Sequence, residues 1–270
     1  MSLRLKILFI VLVVLAAGAG FMRYLDLEYK SLIASTQKGN PLFERSVLED
    51  YGHQIRNHLL ENNIEVAILS RSGQPRARLP EGILFTHSAF FVKEGDDYDV
   101  YNLYHGEDNR LISSLVTDKA ADFLKLTRER DVGILVPKTE VQTALKAFIK
   151  SPAYRRVHQT NYSLISNPFD LRYQNCNEFL LDALGAFAWK TTDRTKIKAQ
   201  LKTFFDPTII KAGFVRRKIA PLVDERLRMA DHGREIKTAT RLDLQEFLEH
   251  EHMLDTAYVL KFKPVHTKEN

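Results

Sequence analysis

The chain has 270 residues, 44% of them hydrophobic and 27% charged, a composition that excludes wholesale disorder and low-complexity sequence. A net charge of +5 and a pI near 9.1 are mildly basic, compatible with an anionic membrane or cell-wall surface and equally with plain solubility. No recognition motif makes nucleic acid an expected partner, and a single cysteine, Cys176, excludes an internal disulfide framework.

Arg4 and Lys6 precede an uncharged apolar run, Ile7–Met22, which Arg23 closes. The order basic, apolar, small is that of a secretory signal, and Ala17-Gly18-Ala19 offers a small-x-small cleavage site. Sixteen apolar residues also approach the length of a retained anchor. Residues 1–24 are therefore expected to be a signal peptide or membrane anchor. Either puts the rest in the periplasm or another extracytoplasmic space, secreted or held at the inner membrane by residues 7–22. No cysteine follows the run, which excludes lipid attachment there. Residues 25–41 read as a linker closing at Asn40-Pro41, residues 42–264 as the folded domain and residues 265–270 as a tail.

Within the domain, Leu42–Asn62 carries apolar residues at three- and four-residue steps and predicts a helix. Ile64–Ser70 predicts a strand, followed by a loop rich in turn formers. Ile83–Val92 is apolar on both faces, as a buried strand is, and a turn at Glu94–Asp97 joins it to a second strand, Asp99–His105, in a hairpin. A helix around Asp118–Leu126, a strand at Val132–Pro137 and a helix from Thr139 to about Ile149 come next. After a polar, turn-rich segment, helices are expected over Asn175–Lys190, Asp193–Phe205, the basic stretch Phe214–Met229 and Thr240–His250. Thr256–Phe262 predicts a closing strand, and the mixture indicates an α+β fold.

The segment Tyr173–Phe187, YQNCNEFLLDALGAF, is the most informative. Asn175 suits an N-cap, and Glu178 three residues later completes a capping-box pattern. Cys176 then sits in the first helical turn, where the helix dipole and free amides stabilise a thiolate and can receive an oxyanion. The thiol is a buried spectator, an intermolecular link or a nucleophile. A nucleophile needs a base. His53, His58, His158, His232, His250, His252 and His266 lie in polar contexts expected to be exposed, and His105 closes the second strand. His87 sits inside the apolar strand with Ile83, Phe85, Ala89 and Phe91, where an imidazole needs a partner. A hairpin turning near Glu94–Gly95 sets His87 opposite about Asn102. Cys176, His87 and Asn102 would form the thiol–imidazole–amide set of papain-like enzymes. Their bland alternatives are a small core cysteine, a satisfied core histidine and a structural hydrogen bonder. Scattered histidines and one cysteine match no metal-ligand spacing, and neither a metal nor a cofactor is expected.

Thr86-His87-Ser88-Ala89-Phe90-Phe91, Val100–Tyr104 and the block from Asn167-Pro168-Phe169 to Asn175-Cys176-Asn177-Glu178-Phe179 carry a resemblance. From about Ser46 to Leu260 the chain resembles the bacterial family called domain of unknown function 2145. That family is in turn similar to the circularly permuted NlpC-type branch of the papain-like superfamily, in which the histidine strand precedes the cysteine helix. The resemblance implies a papain-like antiparallel sheet packed on helices, Cys176 as nucleophile, His87 as base and Asn102 as orienting group. The Cys176 N–H and the Gln174 side chain would hold the oxyanion, and Tyr173 would line the pocket or belong to the core. Three activities fit: a peptidase or amidase acting on envelope peptides, a thiol acyltransferase or lipid hydrolase, and a non-catalytic envelope binding module. The acyltransferase would suit a membrane-proximal position and the basic segment near Arg216.

Overall fold

A computed structural model of the protein describes residues 5–6, 9–14, 16–18, 20 and 40–264. The expected tail, the expected linker before Asn40 and half of the expected leader lie outside the described residues. Among the described residues no helix is long and apolar enough to cross a membrane.

Residues 5–6, 9–14, 16–18 and 20 are helical, and from residue 40 onward come α1 (Arg45–Glu61), β1 (Val66–Arg71), β2 (His87–Glu94), β3 (Asp97–His105) and β4 (Ser113–Asp118). There follow α2 (Ala120–Leu124), β5 (Asp131–Pro137), α3 (Thr139–Lys150), α4 (Pro152–Arg156), α5 (Cys176–Trp189) and α6 (Arg194–Leu201). The remainder is β6 (Thr208–Ile210), α7 (Phe214–Val223), β7 (Ile236–Thr238), α8 (Arg241–His250) and β8 (Leu254–Lys261). Six strands form one sheet in the order β4-β3-β2-β1-β5-β8 with every neighbouring pair antiparallel, and β6 and β7 make a separate two-stranded ribbon. The architecture is α+β, as the mixture of segments predicts.

Alternation along the strands builds two cores. Val66, Ile68, Phe90, Val92, Leu103 and Leu135 pack against α5, α3 and α8. Ala67, Leu69, Ala89, Phe91, Val100 and Ile134 pack on the other side against α1 and α2. Strands buried on both faces read as unbroken apolar runs, which is why β1, β2 and β5 are plain in the sequence. Helix α5 is buried on nearly all sides from Cys176 to Ala186, so its apolar stripe widens to a whole circumference. Gly133 on β5 has a steric role: a Cβ there would come within 2.5 Å of Arg241 and 2.8 Å of Phe85.

The hairpin turns at Gly95-Asp96, one residue beyond the expected Glu94-Gly95, because Glu94 pairs with Asp97. Gly95, at φ +60°, supplies the positive φ that a two-residue hairpin turn asks of its first position. Cross-strand partners therefore shift by two positions from the expected register, which leaves each residue on its expected face.

Glu178 does not close a capping box on α5. Its carboxylate joins a buried network instead: Lys198 Nζ lies 2.6 Å from both Glu178 Oε1 and Asp182 Oδ1, and Arg194 reaches Glu178 at 3.1 Å and Asp182 at 2.9 Å. Two carboxylates one helical turn apart on α5 thus face two cations one turn apart on α6, and this cross-helix match outcompetes the local cap.

Candidate active site

The β2–β3 ladder runs from Glu94↔Asp97 to Phe90↔Tyr101 and stops there, while β3 continues to pair with β4 as far as His105. Beyond Phe90 the two strands part. The start of α5 meets β2 at this opening. Cys176 Sγ lies 3.9 Å from the Thr86 carbonyl oxygen, close enough for a weak thiol hydrogen bond, and receives the Ser88 backbone N–H. The backbone N–H groups of Cys176 and Asn177 also point at the sulfur, as free amides of a helix's first turn do. Asn175 fixes that turn: its Oδ1 accepts the Glu178 N–H at 2.9 Å, and its Nδ2 donates to the Leu164 carbonyl and to Thr238 Oγ1.

Cys176 is 3% exposed, and burial is the largest influence on its thiol. It pushes the pKa up, against the lowering by the Ser88 amide, the Arg71 guanidinium and the first-turn amides. The helix terminus alone would stabilise a thiolate; full desolvation reverses the sign, and the resting group is a neutral thiol.

His87 is fully buried, its ring stacked 5.1 Å from Tyr104 and tilted against Phe123 at 5.7 Å, on the side of the sheet that carries Ala89 and Phe91. Its Nε2 lies 3.1 Å from Asn102 Oδ1, and Asn102 Nδ2 donates to Asp118 Oδ2 at 3.1 Å. This order fixes the tautomer. Asp118 takes the amide's donor end, so Oδ1 faces the ring as an acceptor, Nε2 carries the proton and Nδ1 keeps a free lone pair. Nδ1 is buried without a hydrogen-bond partner. Burial first, then the charge of Arg71, hold the imidazole well below its usual pKa and therefore neutral.

Of the expected site residues, the structure joins His87 to Asn102 directly, and brings Cys176 against the peptide groups that flank His87. Among the described residues no hydrogen bond links Sγ to the imidazole; thiol and ring approach the same stretch of β2 from opposite faces. Gln174 is not free to hold an oxyanion: its Nε2 donates to the Val157 carbonyl and Asp182, and its Oε1 accepts the Gln159 N–H. Tyr173 lies under the Arg228 guanidinium, 4.0 Å from its ring centre, and contributes nothing to the cavity at Cys176.

That cavity, of about 70 Å³, is lined by Leu79, Ile83, Phe85, Ile165, Cys176 and Asn177 among others, and among the described residues no charged side chain contributes to its wall. Across the sheet a second, polar cavity of about 220 Å³ is lined by Arg71, Tyr104 and Asp118. Asn177, Arg71 and Asp118 escape the sequence reading, because only the register of β1, β3 and β4 brings the last two beside His87. Among the described residues no cluster of side chains suits a metal ion.

Three histidines expected to be exposed or merely to close a strand are enclosed. His158 Nε2 meets Ser113 Oγ at 2.9 Å, and the His232 side chain is fully covered beside Asp231. His105 donates from Nδ1 to the Gly106 carbonyl and accepts at Nε2 from Arg226, each at 2.8 Å. Burial pushes His105 from 6.5 down to about 4, with Arg226 acting in the same direction and the Gly106 carbonyl opposing. Between those values the unfolded chain binds a proton that the folded one refuses, so stability falls as pH drops from 6.5 toward 4. Urea titrations are expected to show His105 contributing a loss of about 2 kcal/mol between pH 7 and 4.5, with a visibly flatter slope in His105→Gln. An identical slope in the variant would contradict that assignment.

Fold and site together define an α+β protein in which a lone, buried thiol opens a helix beside a tautomer-locked imidazole. The chain belongs to the family described as an uncharacterized protein conserved in bacteria (DUF2145), whose model matches residues 58–248. Neither a curated protein nor a solved structure shows a significant match to it.

Proposed function

We propose that the protein is a thiol hydrolase of the bacterial envelope, a peptidase or amidase of papain-like descent that works outside the cytosol behind its apolar leader. The observation that carries this reading is the state of His87: Nε2–H committed to Asn102, Nδ1 buried and unpartnered with its lone pair free, one peptide link from the groups that touch Cys176 Sγ. A base needs a free lone pair, and the Nε2–H bond to Asn102 leaves that lone pair on Nδ1.

In the proposed cycle Nδ1 takes the thiol proton as Sγ attacks the carbonyl carbon, and then gives it to the departing amine. Water next hydrolyses the acyl-thioester and regenerates the thiol. The negative charge on the carbonyl oxygen would be met by first-turn amides of α5, with Cys176 N–H foremost. The cycle requires Sγ and Nδ1, which approach β2 from opposite faces at rest, to come within hydrogen-bond reach when substrate enters. The cycle draws on no metal or cofactor.

Alkylation of Cys176 by iodoacetamide across pH 5–10 tests the pair. The parent is expected to react at least tenfold faster at pH 7.5 than His87→Ala, with a profile governed by a group that the variant lacks. Equal rates would favour a non-catalytic binding module, the reading supported by the missing hydrogen bond between thiol and ring. Turnover of acyl esters but not amides would favour the acyltransferase or lipid hydrolase instead.

A further inference from the structure

Resting on the hydrolase reading and deepening it, we propose that the Asn177 carboxamide is the substrate-reading group of the Cys176 cavity, and that it selects a neutral, peptide-like amide carrying an apolar side chain. Asn177 follows the thiol by one residue on α5, lines the same cavity and is 6% exposed. Its Oδ1 is buried with no hydrogen-bond partner. The neighbouring polar side chains of the wall are engaged. Asn175 caps α5 and holds Leu164 and Thr238. Thr86 Oγ1 accepts the Gly73 N–H, and Thr240 Oγ1 donates to Asp243.

A buried carbonyl oxygen left without a donor destabilises the fold that contains it, and such a group calls for a reason. A ligand N–H supplies one. The rest of the wall limits what ligand this is. Leu79, Ile83, Phe85 and Ile165 offer apolar contact, and the described residues of the wall, none of them charged, give no counter-ion to an ammonium or a carboxylate. An ester or hydrocarbon chain has no hydrogen to offer Oδ1. A secondary amide does, and the Asn177 Nδ2 can answer its carbonyl, so that the two amide groups pair donor to acceptor. Rejecting a ligand that lacks the N–H is the stronger half of the effect, because Oδ1 is then buried against an ester oxygen.

Two electrophiles that differ by one atom test this: N-acetyl-leucine chloromethyl ketone, and its ester analogue with oxygen in place of the N–H. In the full-length protein the amide compound is expected to alkylate Cys176 at least tenfold faster than the ester. In Asn177→Leu that ratio should fall to near one. The melting temperature of Asn177→Leu should hold or rise, because an unpaired carboxamide has been exchanged for an apolar group of similar size. A ratio near one in the parent, an unchanged ratio in the variant, or no labelling by either compound would overturn the proposal. A clear fall in the variant's melting temperature would do so too, by showing that the carboxamide is a structural hydrogen bonder. Repeating the pair in His87→Ala separates the two readings: a retained tenfold preference with rates indifferent to His87 would sink the hydrolase and leave the amide site standing.

Discussion

Replacing Lys198 with methionine is expected to cost the domain about 4 kcal/mol in urea unfolding, since removing one partner of a buried ionic cluster strands the other. In this protein the stranded groups are Glu178 and Asp182, both with fully buried side chains, left to share the single cation Arg194. The double variant Lys198→Met, Glu178→Gln should recover most of the loss, because it restores one carboxylate to one guanidinium. The deficit should also depend on pH. Burial already pushes the Glu178 carboxyl up to about 7 with both cations in place. Without Lys198 it rises further, so protonation relieves the single variant more at pH 5.5 than at pH 8. A loss below about 1 kcal/mol, or one indifferent to pH, would mean that the network behaves like an exposed pair.

Asn102→Leu is expected to act on both stability and reactivity. Leucine keeps the volume and removes the acceptor for His87 Nε2–H together with the donor to Asp118. The two stranded polar groups should cost about 2 kcal/mol. With no acceptor at Nε2 the ring proton distributes over both nitrogens and the ring loses its orientation, so the Nδ1 lone pair is available for only part of the time. Cys176 alkylation at pH 7.5 should slow by about tenfold, an effect on rate that loss of stability alone would not produce while the protein stays folded. An unchanged alkylation profile would leave Asn102 with a purely architectural role.

Much of this arrangement can be read from residue order. The strands buried on both faces and the helix after Asn175 are legible because apolar runs and a capping asparagine are local signals. His87 and Asn102 can be paired because they share a face of one hairpin, and a shift of two positions in register preserves that face. Other features depend on contacts between distant segments. β4, half-buried at the sheet edge, has no strong alternation, and the three-residue strands β6 and β7 are too short to show one. Glu178 reads as a cap until α6 brings Lys198 and Arg194 against it. Gln174 reads as an oxyanion donor until Val157, Gln159 and Asp182 occupy its amide. The sign of the Cys176 shift depends on enclosure, which no helix-terminus argument supplies.

The strand order also governs how the chain can fold. β1 through β4 form a local meander, but β5 lies between β1 and β8, and its partner β8 is more than a hundred residues later. Closing that long loop is a late and slow event, while the hairpins upstream assemble from neighbours. Until residues 254–261 arrive, one side of β5 is an unpaired edge along Val132–Val136, every residue of which is buried in the finished sheet. A chain truncated or stalled ahead of β8 therefore displays a sticky template for other chains, and the protein's solubility during synthesis depends on the prompt delivery of its last strand.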